Sequence, residues 1–129
     1  FMTFTTPPNL QWGAATGLRL GDDYFTTLAS DMQAKRDRLA GALAEIGFEV
    51  LPTHGTYFVT TDFRPLGFNG TDEDFCRHIT VEAGVTAVPV SAFYDAPEDA
   101  PRHLARFCFC KNESTLDQAV ERLSRYFRR

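Results

Sequence analysis

Residues 104–111 have the apolar pattern of a β-strand but contain an arginine, Arg106, whose charged side chain could bind an anion. Apart from Arg106 and the closing Lys111, its residues are apolar or thiols, which predicts an interior strand of a sheet. A guanidinium there is unfavourable unless an anion satisfies its charge and its N–H donors. The strand alone leaves two anions open. One is a carboxylate of the chain, such as Glu49 or Asp62, and the other is a ligand carboxylate held in the two-pronged geometry that guanidinium favours.

The cysteines are the next candidates for chemistry. Cys108 and Cys110 alternate on the same predicted strand, with His103 just before it, but zinc sites use Cys-x-x-Cys spacing and this chain has no second pair. Small buried thiols are the more common role for such residues, so we predict no metal site. With Cys76 the thiols are odd in number and lie in predicted core elements, which indicates reduced cysteines in the cytoplasm.

Other catalytic patterns are missing. Ser91 lies in Val-Ser-Ala rather than Gly-x-Ser-x-Gly, so the sequence has no nucleophile elbow, and no glycine-rich loop precedes a helix to bind phosphate. The lysines are Lys35, on the polar side of a predicted helix, and Lys111, at a strand end. Neither is predicted to be the buried, pKa-lowered amine that Schiff-base chemistry needs. The chain therefore supplies no obvious catalytic group.

Composition limits the class of protein. The 129 residues fit one domain, and 12 phenylalanines predict a well-filled aromatic core or pocket. The net charge is -4 and the basic residues are scattered, so a nucleic-acid surface is not expected. No apolar run approaches the ~18 residues of a membrane span, and no signal segment opens the chain. We therefore expect a cytoplasmic protein without a membrane or nucleic-acid partner.

The elements that position these residues follow from periodicity and turn signals. Residues 1–9 are predicted to be extended, and 10–20 to form a short helix. A long helix is predicted over 22–46, with one apolar stripe made of Phe25, Leu28, Met32, Leu39, Leu43 and Ile46. Strands 48–51 and 56–61 are predicted to pair antiparallel.

The second half of the chain is predicted to contain a further helix, two strands and a C-terminal helix. Thr71 is predicted to cap a helix with Asp74 as the partner of a capping box, and Gly84 to end that helix. A short strand over 85–88, an apolar loop, the Arg106 strand and a helix over 115–127, capped by Asn112 or Ser114, complete the chain. The order predicts an α+β, two-layer domain with a small sheet of three or four strands and helices mainly on one face.

Two stretches, residues 84–94 and 105–111, together carry a family resemblance, with Gly55-Thr56-Tyr57-Phe58 ahead of them and Thr115-Leu116 after them. They resemble the C-terminal small domain of fold-type I, pyridoxal-phosphate-dependent aminotransferases of class I/II. The nearest branch contains the kynurenine, methionine and N-succinyldiaminopimelate aminotransferases. Each motif alone is weak, but their order and spacing are specific and cover essentially the whole chain. The resemblance implies an interdomain linker and the start of a connecting helix over 1–20, and the small domain over 21–129.

The resemblance also implies roles for residues. Arg106 corresponds to the arginine that grips the α-carboxylate of the amino-acid or 2-oxo-acid substrate, and such a clamp serves both half-reactions. Phe4 and Thr5 correspond to a segment that lines the active site of the second subunit in a homodimer, although an extended linker would explain them equally. In that family some dicarboxylate-specific members have a basic residue just before this segment. The resemblance therefore implies that the apolar Phe1 and Met2 argue against a simple aspartate-type enzyme.

The catalytic groups of that family are not in this sequence. Its Schiff-base lysine and its pyridoxal 5'-phosphate ligands belong to a large cofactor-binding domain, which we expect upstream of residue 1. The chain is then a fragment with no catalytic, cofactor-binding or metal-binding residue, and we expect it to be inactive alone. The alternative is a stand-alone regulatory α+β module that binds a free amino acid through Arg106.

Overall fold

The computed structural model describes residues 6–128, apart from the side chain of Pro97. Within them lie four helices, α1 Pro8–Gly17, α2 Asp22–Ile46, α3 Asp72–Glu82 and α4 Glu113–Phe127, and four strands, β1 Glu49–Val50, β2 Phe58–Asp62, β3 Val88–Pro89 and β4 Leu104–Cys108. Short 3-10 turns span Arg64–Leu66, Val90–Phe93 and Pro97–Asp99. The chain divides into two compact units, with the boundary between Asp31 and Met32. The predicted α+β class is confirmed.

The four strands form one antiparallel sheet in the order β1-β2-β4-β3. The predicted antiparallel pair is β1 with β2, and β4 is an interior strand as its apolar pattern indicates. The strands are shorter than predicted, since β1 holds two residues and β4 ends at Cys108. Arg106 therefore has a strand neighbour on each side, Thr60 on β2 and Val88 on β3.

Local sequence signals correctly predict where α3 begins and ends. α3 begins with the predicted capping box, in which Thr71 Oγ1 accepts from the N–H of Asp74 at 3.2 Å and Asp74 Oδ2 accepts from the N–H of Thr71 at 3.1 Å. Gly84 follows with φ of +67°, a left-handed conformation that favours glycine after a helix. α1 begins two residues before the predicted start because proline is favoured in the first helical turn, where its missing N–H has no partner to lose.

The core lies between one face of the sheet and helices from the second unit. Its sheet residues are the inward members of β2 and β4, and the helices α2, α3 and α4 supply the opposite layer. The buried apolar residues of these elements are Val59, Ala105 and Phe107 from the sheet and Leu39, Leu43, Ile46, Phe75, Cys76, Ile79, Leu116 and Leu123 from the helices. The other sheet face carries Phe58, Thr60, Arg106 and Cys108, which are half-buried.

The apolar stripe of α2 does not act as one surface. Leu39, Leu43 and Ile46 are buried, but Phe25 and Leu28, in the first unit, are 40% and 41% exposed. The predicted apolar stripe is therefore buried only in its C-terminal part. Periodicity identifies an apolar face but does not say whether the same chain covers it. Of the helices in residues 6–128, none is both long and apolar enough to cross a membrane.

The end of β2 holds a buried carboxylate whose ionisation should contribute to stability. Asp62 accepts hydrogen bonds from the backbone N–H of Arg64 at 2.8 Å and from its Nε at 2.9 Å. Burial works to raise the pKa of Asp62, but the hydrogen bonds from Arg64 outweigh it and hold that pKa below its usual value. A depressed folded-state pKa stabilises the fold above the unfolded-state value of about 4, and this contribution is lost as pH falls through the folded value.

We therefore expect Asp62→Asn to lower the free energy of unfolding at neutral pH, and the difference from wild type to shrink as pH falls below about 4. Urea unfolding at a series of pH values measures this difference. Asp95→Asn, which removes an exposed carboxylate, controls for the change in net charge. A difference that stays constant between neutral pH and pH ~3 would show that ionised Asp62 contributes nothing to stability.

Candidate functional site

Arg106 lies on the sheet face that the helices leave uncovered within the second unit. Along β4 the side chains alternate, so Ala105 and Phe107 are buried in the core while Arg106 and Cys108 are half-buried on the opposite face. The central position of β4 fixes the backbone of Arg106 from both sides. The sheet thus presents a rigidly mounted cation on a partly shielded surface.

Two aromatic rings hold the guanidinium of Arg106. Its Cζ lies 4.2 Å from the centroid of Phe58, on the neighbouring strand, and 4.7 Å from the centroid of Phe93, in the turn after β3. Both distances are within the range of cation–π attraction. The rings shield the cation from water without neutralising it. Aromatic faces accept no N–H bond of the strength that a carboxylate accepts, so the N–H donors remain available to a planar anion.

No internal carboxylate takes the place of that anion within residues 6–128. The ion pairs formed there do not include Arg106, and Asp62 pairs with Arg64 instead. Glu49 likewise forms no ion pair in this part of the chain. The internal pairing that the strand pattern left open is therefore not formed by the described residues.

The segment that carries Phe93 is anchored by a buried acid. Asp72, at the start of α3, is completely buried, and its Oδ2 accepts the backbone N–H of Ser91 at 2.7 Å. Arg102 supports the same segment, since its Nη1 donates to Ser91 Oγ at 3.3 Å and lies 3.8 Å from Asp72 Oδ1. Sequence reasoning missed Asp72. The available signal was a run of three acids at the start of a helix, but nothing local marks which acid turns inward.

Removing this anchor should destabilise the fold. We expect Asp72→Ala to lower the free energy of unfolding by about 1–3 kcal/mol, because the N–H of Ser91 would stay buried without an acceptor. Urea unfolding measures the change. Glu73→Ala is the matched control, since Glu73 is exposed and lies in the same first turn, where both acids interact with the helix dipole. Equal losses in the two variants would contradict the anchoring role of Asp72.

The turn before Phe58 has an unusual backbone. Thr56 adopts φ of +65°, a left-handed conformation that is rare for a β-branched residue. Its Oγ1 accepts the N–H of Phe58 at 3.3 Å, which helps hold the start of β2. Unfavourable conformations of this kind persist where surrounding structure requires them, and they concentrate at functional sites. Here the strained residue lies two positions from a ring that touches Arg106.

The three cysteine thiols differ in exposure. Cys76 is buried as predicted, and burial together with the nearby Asp72 raises its pKa to about 12. Cys108 is half-buried and Cys110 is exposed, so the prediction of small buried thiols is wrong for Cys110. Over residues 6–128, no group of three or more His, Cys, Asp or Glu side chains is arranged to hold a metal ion.

The other residues considered from the sequence are the two lysines and the predicted pocket-lining pair. Lys35 is half-buried and Lys111 is exposed. The predicted pocket-lining residues Phe4 and Thr5 lie outside the described residues.

Known proteins are similar to this chain in both sequence and fold. Residues 1–123 match the family "Aminotransferase class I and II". A probable N-succinyldiaminopimelate aminotransferase from Mycobacterium tuberculosis is 40% identical over 96% of this chain and 33% of its own length. A methionine aminotransferase from Escherichia coli is 39% identical over 95% of this chain and 31% of its own length. The solved structure of N-succinyldiaminopimelate aminotransferase from Mycobacterium tuberculosis superposes with a TM-score of 0.81 at 45% identity, covering 88% of this chain and 29% of that one.

These matches define the class of protein. The chain belongs to the class I and II aminotransferase family, which confirms that part of the resemblance seen in the sequence. Its relatives are enzymes that transfer amino groups, according to their names. The chain spans about a third of the length of these relatives.

Proposed function

We propose that this chain is the C-terminal small domain of a pyridoxal-phosphate-dependent aminotransferase, with residues 1–20 as interdomain linker and start of a connecting helix, and 21–129 as the small domain. The parent enzyme would transfer an amino group between an amino acid and a 2-oxo acid. The observation that carries the proposal is Arg106, fixed between two aromatic rings with no carboxylate partner among the described residues. Its role would be to bind the α-carboxylate of the substrate.

The chemistry of the substrates supports this role. An amino acid and its 2-oxo acid differ at Cα but share the α-carboxylate, so one clamp can hold both. The guanidinium edge offers parallel N–H donors that match the two oxygens of a carboxylate, which fixes orientation as well as position. The rings of Phe58 and Phe93 lower the local polarity and thereby strengthen the charged hydrogen bonds. Carboxylate binding on a partly shielded β-strand is what this arrangement can do best.

The cofactor would be held by the remainder of the parent enzyme. Pyridoxal phosphate acts as the electron sink for amino-group transfer and is attached through a buried lysine. The lysines of this chain do not fit that role, because neither is buried. This supports a fragment that contributes substrate binding, is inactive alone, and leaves catalysis to a large domain outside it.

Exposed apolar residues support a large-domain partner. In the first unit, α1 has no buried residue, and Trp12 and Leu18 are 69% and 77% exposed. Exposed apolar groups of this size are typical of surfaces that other protein parts cover. We propose that the large domain of the same enzyme covers them, and that the enzyme is a cytoplasmic homodimer in which Phe4 and Thr5 line the site of the second subunit.

The proposal is tested with the full-length protein, because the cofactor would be bound by the part of the enzyme outside this chain. We expect it to bind pyridoxal phosphate, seen as absorbance in the visible range, and to convert 2-oxoglutarate to glutamate with at least one member of a panel of amino donors. The 129-residue chain alone should do neither. If the full-length protein binds an amino acid by calorimetry but transfers no amino group, the regulatory-module interpretation replaces the aminotransferase.

A further inference from the structure

The chain turn after β4 brings two thiols together. The N–H of Lys111 donates to the carbonyl of Phe109 at 2.8 Å, which closes a three-residue γ-turn centred on Cys110. This turn places Cys110 Sγ 3.1 Å from Cys108 Sγ. A disulfide needs a separation of about 2.05 Å, so a displacement of about 1 Å would allow the bond to form.

The two thiols are not equivalent. Cys110 is exposed and Cys108 is half-buried. Burial raises the pKa of the Cys108 thiol, and its contact with Cys110 acts in the same direction. A small reagent in solvent therefore meets Cys110 first, while Cys108 stays behind it within reach of the same sulfur. An exposed attacking thiol with a second thiol within reach allows thiol–disulfide exchange to continue from a mixed disulfide to an internal disulfide.

We propose that Cys108 and Cys110 form a reversible dithiol–disulfide site that reacts with low-molecular-weight disulfides. The Cys110 thiolate attacks one sulfur of the small disulfide, forming a mixed disulfide and releasing one small thiol, which takes up the proton that Cys110 lost. The Cys108 thiolate then attacks Cys110 Sγ, forming the Cys108–Cys110 bond and releasing the second small thiol with the proton from Cys108. Two electrons pass from the protein thiols to the small disulfide, and an excess of small thiol reverses both steps.

This site lies beside the Arg106 surface but does not depend on its role. Cys108 is the direct strand partner of Phe58, whose ring contacts the guanidinium of Arg106. Cys108 and Lys111 also line a cavity of about 220 Å³ beside the end of the strand. The exchange chemistry rests on the two sulfur atoms and their exposure, so it stands whether or not Arg106 binds a substrate carboxylate.

The chain offers a direct measurement. Trypsin cleaves after Arg106 and Lys111, so both thiols fall in the peptide of residues 107–111. The full-length protein is incubated with oxidised glutathione, alkylated, digested and analysed by mass spectrometry. We expect this peptide to lose two hydrogens and to resist alkylation, and dithiothreitol to restore both alkylation sites. Cys76, buried and in a separate peptide, is the internal control and should remain a thiol.

Serine variants separate the two steps. Cys108→Ser should accumulate glutathione on Cys110 as a stable mixed disulfide, because the resolving thiol is gone. Cys110→Ser should remove most of the reaction and slow the modification of Cys108 at least tenfold relative to Cys110 in the Cys108→Ser variant. The proposal is overturned if the wild-type peptide stays a dithiol, if it stops at the mixed disulfide, or if Cys76 is oxidised at the same rate. The last result would indicate general opening of the fold.

Discussion

Arg106→Ala in the full-length protein should lower kcat/KM by about 30- to 1,000-fold for both the amino donor and the 2-oxo acid. This range corresponds to about 2–4 kcal/mol for a lost charged hydrogen-bond pair in a partly shielded site. The loss should be similar for the two substrates, because both present the same α-carboxylate. Steady-state kinetics with each substrate varied in turn measures it.

Arg106→Lys tests the geometry rather than the charge. An ammonium keeps the positive charge but has no planar fork, so it cannot hold both carboxylate oxygens in parallel. Its shape also stacks less well between the rings of Phe58 and Phe93. We expect an activity between those of wild type and Arg106→Ala. An activity equal to wild type would mean that the charge alone matters and that the two-pronged clamp is wrong.

Arg38→Ala is the matched control for both variants. Arg38 lies on α2 and pairs with Asp117 and Glu113, and all three side chains are at least half exposed. Exposed pairs contribute little, so this variant should keep near-wild-type kinetics and stability. A comparable loss in Arg38→Ala, or a loss with only one of the two substrates, would contradict α-carboxylate binding by Arg106.

The sequence predicts the elements that position Arg106 better than it predicts the side-chain contacts around that residue. The apolar strand pattern places Arg106 in the sheet interior, and the capping box at Thr71 and Asp74 sets the start of α3. Both signals are local, so neighbouring residues suffice to read them. The contacts of Arg106 with Phe93 and of Asp72 with Ser91 join segments far apart in the chain. Their pairing depends on how α3 packs beside the sheet, which no local pattern encodes.

The contact between Cys108 and Cys110 is also not predicted by a local sequence pattern, although the two residues are close in the chain. Alternation along a strand places Cys108 and Cys110 on one face, and the usual burial of small thiols predicts that both are buried. The strand ends at Cys108, and the γ-turn at Cys110 carries that side chain into solvent. Without a glycine, a proline or an Asn-Gly pair at the bend, the sequence gives no turn signal there. Only the structure shows that the two sulfur atoms meet at an exposed position.

Phe75→Ala should cause the largest loss of stability of any variant considered. Phe75 on α3 is completely buried, and its ring stacks on Phe63 at a centroid distance of 4.2 Å and an angle of 5°. Three further rings surround it, those of Phe48, Phe68 and Phe127. Removing a ring from such a site costs about 3–5 kcal/mol, because the lost burial is joined by the cavity that the neighbours cannot fill. Domains of this kind are stable by only ~5–15 kcal/mol, so this loss is a large share of the total.

Two further variants, one at Phe75 and one at an exposed residue of α3, provide the comparison for the stability loss in Phe75→Ala. Phe75→Leu keeps most of the volume and should cost less than Phe75→Ala, since the cavity is smaller. Val81→Ala lies on α3 at a side chain that is 73% exposed, and it should change stability by less than about 0.5 kcal/mol. Denaturant unfolding of the three variants gives the order directly. If Phe75→Ala lowered stability as little as Val81→Ala, the rings packed around Phe75 would not be what holds α3 against the sheet. The contact of Asp72 with Ser91, at the start of the same helix, would then lack the rigid support that this packing provides.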